Sequence, residues 1–239
     1  LEVRTTAQGV EPLADGRAVV VLAESPFYAQ GGGQVSDHGW ITAGSARGEV
    51  TDVIRVGSGQ ALVVDGLVPA PGDEVVALVD VPARRATQAN HTATHLLHWA
   101  LRKRLGTDVH QAGSYVGPDK LRFDVTHRGR IPEDALAEVE DMVVSRIAED
   151  APVQWREMPK PDADALGAMG LFGEKYGDVV RVVSAGDYSR ELCGGTHVSR
   201  TSEIGPFTII SEGSVGSGAR RIEALTGTEL TAHYRRQAD

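Results

Sequence analysis

Asn90-His91-Thr92-Ala93-Thr94-His95-Leu96-Leu97-His98 lies near the start of the longest helical pattern in the chain. His91 and His95 are four residues apart, so a helix stacks both imidazoles on one face, one turn from each other. His95, Leu96, Trp99 and Leu101 follow a 3.6-residue period. That period predicts a helix over 84–105, with Gly106 as its stop.

Upstream of this helix, residues 1–82 read as all-β. Runs at 17–22, 48–53, 60–64 and 73–79 are rich in β-branched residues, and Gly, Pro and Asp punctuate them. A small barrel or sandwich is expected, ending at Pro82. One interruption, 24–39, contains Gly31-Gly32-Gly33-Gln34. Consecutive glycines fit a place where the backbone turns or approaches something closely; the plainer reading is a hairpin tip. Downstream, 109–115 and 120–125 read as a hairpin around Gly117-Pro118-Asp119. A second long helix is expected over 132–150, with Leu136, Val139, Val143 and Ile147 on one face. Strands at 152–158, 179–184, 204–211 and 220–225, a short helix at 162–169 and a closing helix at 228–237 complete an α+β pattern. Residues 83–239 are thus expected to lay long helices on an antiparallel sheet.

The chain has 239 residues, 41% of them hydrophobic, which suits one large or two modest globular domains. It contains no run of eighteen apolar residues and no secretory pattern, so no membrane partner is expected. Starting at Leu1 rather than methionine, it is expected to be a piece of a longer protein. A single cysteine, Cys193, excludes an internal disulfide and fits a reducing cytoplasm. Net charge is −9, but residues 81–130 carry nine Lys and Arg against three acids. Such an island on an acidic body suits either a phosphate-facing surface or a solvated helix face.

A lone His-x-x-x-His is a weak metal signal. Thr92 stands where a zinc protease has its glutamate, which argues against peptide hydrolysis. Cys193-Gly194-Gly195-Thr196-His197 adds a thiolate and a third imidazole. His91, His95, Cys193 and His197 together are a borderline-soft donor set suited to one Zn²⁺. Four protein ligands normally close a structural site, whereas a hydrolytic zinc needs room for water, and composition does not decide between them. His98 is read as a core or surface residue, and His38, His127 and His233 have no pattern.

The stretch 90–98, Gln111-x-Gly113-Ser114, Asp119-x-Leu121-Arg122-Phe123-Asp124, Phe172-Gly173-Glu174-Lys175-Tyr176-Gly177-Asp178, 189–197 and Arg220-Arg221-Ile222-Glu223-Ala224 together resemble the editing region of alanyl-tRNA synthetase. The segment Pro26-Phe27-Tyr28-Ala29 through Gly39 resembles the barrel that precedes it. Free-standing AlaX-type trans-editing proteins share the two metal half-motifs, and the threonyl-tRNA synthetase editing domain shares the architecture. Gln30-Gly31-Gly32-Gly33-Gln34 departs from the Glu-Ser-Gly-Gly-Gln of many synthetases and is closer to the free-standing relatives.

The resemblance implies a zinc-dependent aminoacyl-tRNA deacylase acting on tRNA(Ala) mischarged with serine or glycine. The physical need is clear: a pocket made for alanine cannot exclude smaller glycine, and it rejects serine poorly. The resemblance makes His91, His95, Cys193 and His197 the ligands of one zinc per chain. Thr94 is expected to hydrogen-bond the serine hydroxyl; the alternative is a hydroxyl back-bonded to its own helical turn. Gln111 is expected to orient ester or water, and Gly31, Gly32, Gly33 and Gln34 to lie over the 3′ adenosine. Arg84, Arg85, Arg102, Lys103 and Arg104 are candidate phosphate contacts. ATP is expected only in a parent synthetase, since no aminoacylation motif is visible. The rival readings are a free-standing trans-editor and a non-catalytic tRNA-binding module with structural zinc.

Overall fold

A computed structural model describes residues 1–170, 176–216 and 218–238. Residues 171–175, which carry most of the Phe172–Asp178 motif, lie outside the described residues. The chain divides into two units: Leu1–Gly31 with Val35–Arg84, and Gly32–Gln34 with Arg85–Asp239.

The first unit is a closed barrel. Its strands are β1 (Glu2–Pro12), β2 (Ala18–Leu22), β3 (Gly39–Ala43), β4 (Ala46–Val56), β5 (Gly59–Asp65) and β6 (Glu74–Val79). They pair antiparallel in the order β1-β2-β5-β4-β3-β6, and β1 closes back onto β6. Alternation explains the interior: Ala18, Val20 and Leu22 point inward on β2, as Val75, Ala77 and Val79 do on β6. Neither β1 nor β3 is visible in the sequence pattern. β1 buries only Ala7 and carries a bulge between Ala7 and Gly9, and β3 is five residues long. Closure, rather than local propensity, makes them strands. Inside the unit, Asp37 accepts a hydrogen bond from the backbone N–H of Tyr28 at 2.6 Å and an ion pair from Arg84.

Helix α1 (Val81–Leu105) starts three residues before the expected point. Asp80 is the reason: its Oδ1 accepts the N–H of Ala83 at 3.1 Å, capping the first turn, where Pro82 costs no hydrogen bond. Arg102, Lys103 and Arg104 fill the last turn, where positive charge suits the helix dipole. Gly106, at φ 115°, ends it.

The second unit continues with β7 (Gln111–Val116), β8 (Leu121–Thr126), α2 (Glu133–Ala148), β9 (Val153–Pro159) and α3 (Lys160–Ala165). Then follow β10 (Val179–Ala185), β11 (Ser189–Leu192), a 3-10 turn at Thr201–Ile204, β12 (Phe207–Gly216), β13 (Ala219–Thr226) and α4 (Gly227–Ala238). The single expected sheet is in fact two: a four-stranded β12-β13-β8-β7 sheet and a three-stranded β11-β10-β9 sheet. The strand expected from 204 begins at Phe207, because Thr201–Ile204 forms the 3-10 turn and Gly205 breaks out of it at φ 72°. The short helix expected over 162–169 sits earlier and stops at Leu166, before Gly167 at φ 71°.

One core unites Leu96, Leu97 and Leu101 of α1, Phe123 of β8, Val139 and Val143 of α2, and Ile222 of β13. Each fully buried aliphatic side chain contributes about 1.5–3 kcal/mol relative to exposure. All positions of α1 from Ala89 to His98 are buried, polar ones included, so each polar group needs a partner. Asn90 illustrates this. Its Nδ2 donates to Gly117 O at 2.8 Å, and its Oδ1 accepts from Thr226 Oγ1 at 2.8 Å, fastening the helix to both the β7–β8 turn and the end of β13.

Candidate metal centre

α1 presents His91 and His95 on one face, with ring centroids 5.3 Å apart. The segment after β11 brings Cys193 and His197 to them; the His197 centroid is 4.3 Å from that of His91 and 4.6 Å from that of His95. One donor atom from each residue lies within 4.8 Å of every other. Cys193 Sγ is 3.4 Å from His91 Nε2 and 3.3 Å from His197 Nε2. Tetrahedral zinc with bonds of roughly 2.0–2.3 Å demands donor separations of about 3.5 Å, which the two sulfur–nitrogen distances match. The two α1 histidines are buried, while Cys193 and His197 are half-buried.

The loop is shaped for this approach. A Cβ on Gly195 would lie 2.1 Å from His91 Cε1, so only glycine lets the backbone pass the imidazole. Arg181 of β10 donates from Nη1 to Cys193 O at 2.7 Å and Gly195 O at 2.8 Å, and its guanidinium stacks on Trp155 of β9 at 4.9 Å. The Gly195 N–H points at Cys193 Sγ from 3.4 Å, favouring a thiolate.

Burial alone would raise the Cys193 thiol, but the electrostatic influence of His91 and hydrogen bonding with His197, His91 and His95 pull it well below its ordinary 9.0. Burial disfavours a charged His95, yet Glu191 and Cys193 outweigh that and raise it to about 9. His197 is pushed down to about 3, by burial first and then by neighbouring His91. A thiolate among imidazoles is a cation-binding constellation.

Three residues behind the cage go beyond the expected set. Glu191 is buried; its Oε1 lies 3.0 Å from His98 Nδ1 and its Oε2 3.7 Å from His95 Nε2. His98, expected to be a plain core or surface residue, is thus a buried partner of a carboxylate. The signals were present: Glu191 and Cys193 are two apart, on one face of an extended segment, and His98 follows His95 by three on the helix. Thr92 is the third. Its Oγ1 lies 3.1 Å from His197 Nδ1, and it fills the position of the missing protease glutamate.

The remaining expected site residues fall out unevenly. Gln34 is fully buried at the centre, 2.7 Å from His91 Nδ1 through its Oε1. Gly33 joins it: its carbonyl accepts the Val116 N–H of β7 at 2.8 Å, and Gln34 bridges Val116 in parallel. Gly32 takes φ 58° in open space, and Gly31 belongs to the barrel unit, where Tyr28 donates to its carbonyl. Gln111 is half-buried at the start of β7, beside a bulge. Thr94 is buried, and its hydroxyl donates to Asn90 O at 2.8 Å.

The basic candidates need correction. Arg84 is buried, and its guanidinium pairs with Asp37 and donates to Pro26 O at 3.0 Å, so it cannot reach a phosphate. Arg102 is half-buried and donates to Thr107 O and Val109 O, closing the turn after α1. Arg104 is exposed but pairs with Glu138, and Arg85 and Lys103 are exposed.

Residues 180–223, from β10 into β13, match the family described as "Threonyl and Alanyl tRNA synthetase second additional domain". The chain is 49% identical over 243 residues to an alanine–tRNA ligase of Rubrobacter xylanophilus, matching 100% of this chain and 27% of that protein. Alanine–tRNA ligases of Listeria welshimeri and Hydrogenovibrio crunogenus are each 51% identical, over 92% and 91% of this chain and 26% of each ligase. The chain spans about a quarter of the length of the curated relatives it matches. The alignment therefore runs through both the barrel unit and the unit with the four-donor cage, so the whole chain is similar to about a quarter of these alanine–tRNA ligases.

Proposed function

We propose that this chain is an aminoacyl-tRNA deacylase that hydrolyses the ester of tRNA(Ala) mischarged with serine or glycine. The observation that carries the reading is the convergence of His91, His95, Cys193 and His197 into a metal-sized cage, within a chain whose whole length aligns with about a quarter of an alanine–tRNA ligase. These four residues would hold one Zn²⁺. When bound, zinc would supply a fixed positive charge beside the reacting ester or water.

The reaction adds water across the ester. The water oxygen bonds to the aminoacyl carbonyl carbon, the bond to the terminal ribose oxygen breaks, and a proton ends on that ribose oxygen. The chain's own residues bind and orient. Thr94 is one residue from His95 and three from His91, and its single hydroxyl hydrogen is already given to Asn90 O. It therefore offers only lone pairs, which suits acceptance of a hydrogen bond from the serine hydroxyl. Alanine has no such donor. Gln111 would orient ester or water, and Gly32 and Gly33, with no side chains, would admit the 3′ nucleotide against the backbone. Arg85 and Lys103 remain the exposed cations for phosphates.

A second reading is favoured by the ligand count. Four protein donors can fill a tetrahedral shell, as in a structural zinc that supports tRNA binding without chemistry. Incubating the purified chain with Ser-tRNA(Ala) separates the two. Release of serine supports the deacylase; binding with the ester intact supports the structural module.

A further inference from the structure

We propose that Gln34 and Thr92 are positioning residues that fix the tautomers of His91 and His197, so that both rings present Nε2 lone pairs to one cation. The proposal rests on the metal part of the reading above and not on the ester chemistry.

The hydrogen-bond inventory decides each proton. Thr92 Oγ1 has one hydrogen, and Gln88 O, 3.0 Å away and an acceptor only, takes it. Towards its other neighbours the hydroxyl must then accept. Those are the Val198 N–H at 3.3 Å and His197 Nδ1 at 3.1 Å. His197 Nδ1 therefore carries the ring hydrogen, and the lone pair of the neutral ring sits on Nε2, the atom 3.3 Å from Cys193 Sγ.

Gln34 repeats the logic from the other side. The Thr196 N–H, 2.8 Å away, can only donate, so the amide atom facing it is the oxygen. The amide nitrogen then donates to Thr196 Oγ1 at 2.9 Å. The same Oε1 lies 2.7 Å from His91 Nδ1, which must donate, leaving its Nε2 lone pair 3.4 Å from the sulfur. Both Gln34 and Thr92 are buried, so no water competes for these bonds.

Gln34 also ties three parts of the second unit together. It sits on the glycine segment Gly32–Gln34, pairs beside Val116 of β7, and holds both the helix histidine and the cysteine loop through Thr196. The glycine run thus does more than admit a ligand. It delivers the amide that shapes the metal cage, and it does so before any substrate arrives.

Outer hydrogen-bond partners of metal histidines contribute roughly 10–100-fold to metal affinity. The test is zinc affinity of the whole chain, measured without tRNA by competition with a chromophoric chelator, with circular dichroism confirming the fold. Gln34→Leu and Thr92→Val, which keep size and remove the acceptor, are expected to weaken zinc about 10–100-fold. Gln34→Glu and Thr92→Ser, which keep an acceptor, are expected to stay within about threefold of the parent. ¹⁵N-resolved NMR of the zinc-loaded parent, expected to show Nδ1–H on His91 and His197, covers the case in which a variant fails to fold. Unchanged affinity in both Leu and Val variants, or an Nε2–H ring at either histidine, overturns the proposal. A parent chain that binds no zinc overturns the metal reading itself. Loss of deacylation in Gln34→Leu with zinc affinity intact would assign Gln34 to substrate instead.

Discussion

Glu191 Oε1 lies 3.0 Å from His98 Nδ1, with both side chains buried, joining β11 to α1 immediately behind the metal-type cage. The same carboxylate faces His95, so one buried charge answers two rings on one helix face. Burial opposes that charge, and positive charge at His95 together with the His98 hydrogen bond keeps the carboxyl below its ordinary 4.5. Removing one partner of a buried pair strands the other without water. Glu191→Ala is expected to cost on the order of 3 kcal/mol in urea unfolding of the metal-free chain. A loss under about 0.5 kcal/mol, the range of ordinary surface changes, would show that the carboxylate is not a structural tie.

The Arg84–Asp37 pair makes a parallel prediction in the barrel unit. Both side chains are buried, and Asp37 also receives the Tyr28 N–H. Arg84→Met should destabilise the chain by about 3–5 kcal/mol, because it leaves a buried carboxylate unpaired. Arg85→Ala and Lys103→Ala should leave stability within about 0.5 kcal/mol and each lower the salt dependence of tRNA binding by about one unit of log–log slope. Equal salt slopes in parent and variants would remove these two cations from the tRNA surface.

Gly32 and Gly33 separate strain from collision. Both have positive φ, but a Cβ on Gly32 meets nothing, whereas one on Gly33 lies 2.8 Å from Ser114 Cβ and 2.9 Å from Ser114 O. Gly32→Ala should cost only about 1–2 kcal/mol of left-handed strain. Gly33→Ala must also push the loop off β7, carrying Gln34 with it, so zinc affinity should fall along with stability. Zinc affinity equal to the parent's in Gly33→Ala would contradict the docking of this loop on Ser114.

Glu212 gives the clearest pH dependence. Its carboxylate forms a two-point pair with Arg220, at 2.5 and 2.7 Å, which holds it below its ordinary 4.5. Because the folded value is depressed, the stabilisation is complete above pH 4.5 and is lost as pH falls through the lowered value. Glu212→Gln should therefore cost about 1–2 kcal/mol at pH 7, with the gap to the parent closing below pH 4.5. Urea midpoints of both proteins at pH 7 and pH 3 check this; a gap unchanged at pH 3 would place the effect elsewhere.

Much of this was legible in the residues. The α1 period, the α2 face and the later strands followed from spacing, as did the pairing of a helical His-x-x-x-His with the sole cysteine. What escaped has physical causes. β1 and β3 are strands because the barrel closes on β6, a nonlocal fact. The split into two sheets depends on which strands pair across more than 80 residues, as β8 does with β13. Thr92 read only as an absent glutamate, because a hydroxyl gains its role from a histidine 105 residues away. Arg84 read as a phosphate contact because charge alone does not reveal burial, and its partner Asp37 lies 47 residues upstream.

The central claim is that the cage serves ester hydrolysis, and one measurement meets it directly. Purified chain, zinc-loaded or chelator-treated, is mixed with Ser-tRNA(Ala) and with Ala-tRNA(Ala), and ester survival is followed. The account predicts that the zinc-loaded chain frees serine quickly, spares alanine, and slows sharply once zinc is stripped. Intact Ser-tRNA(Ala) in the presence of bound, zinc-loaded chain would contradict it.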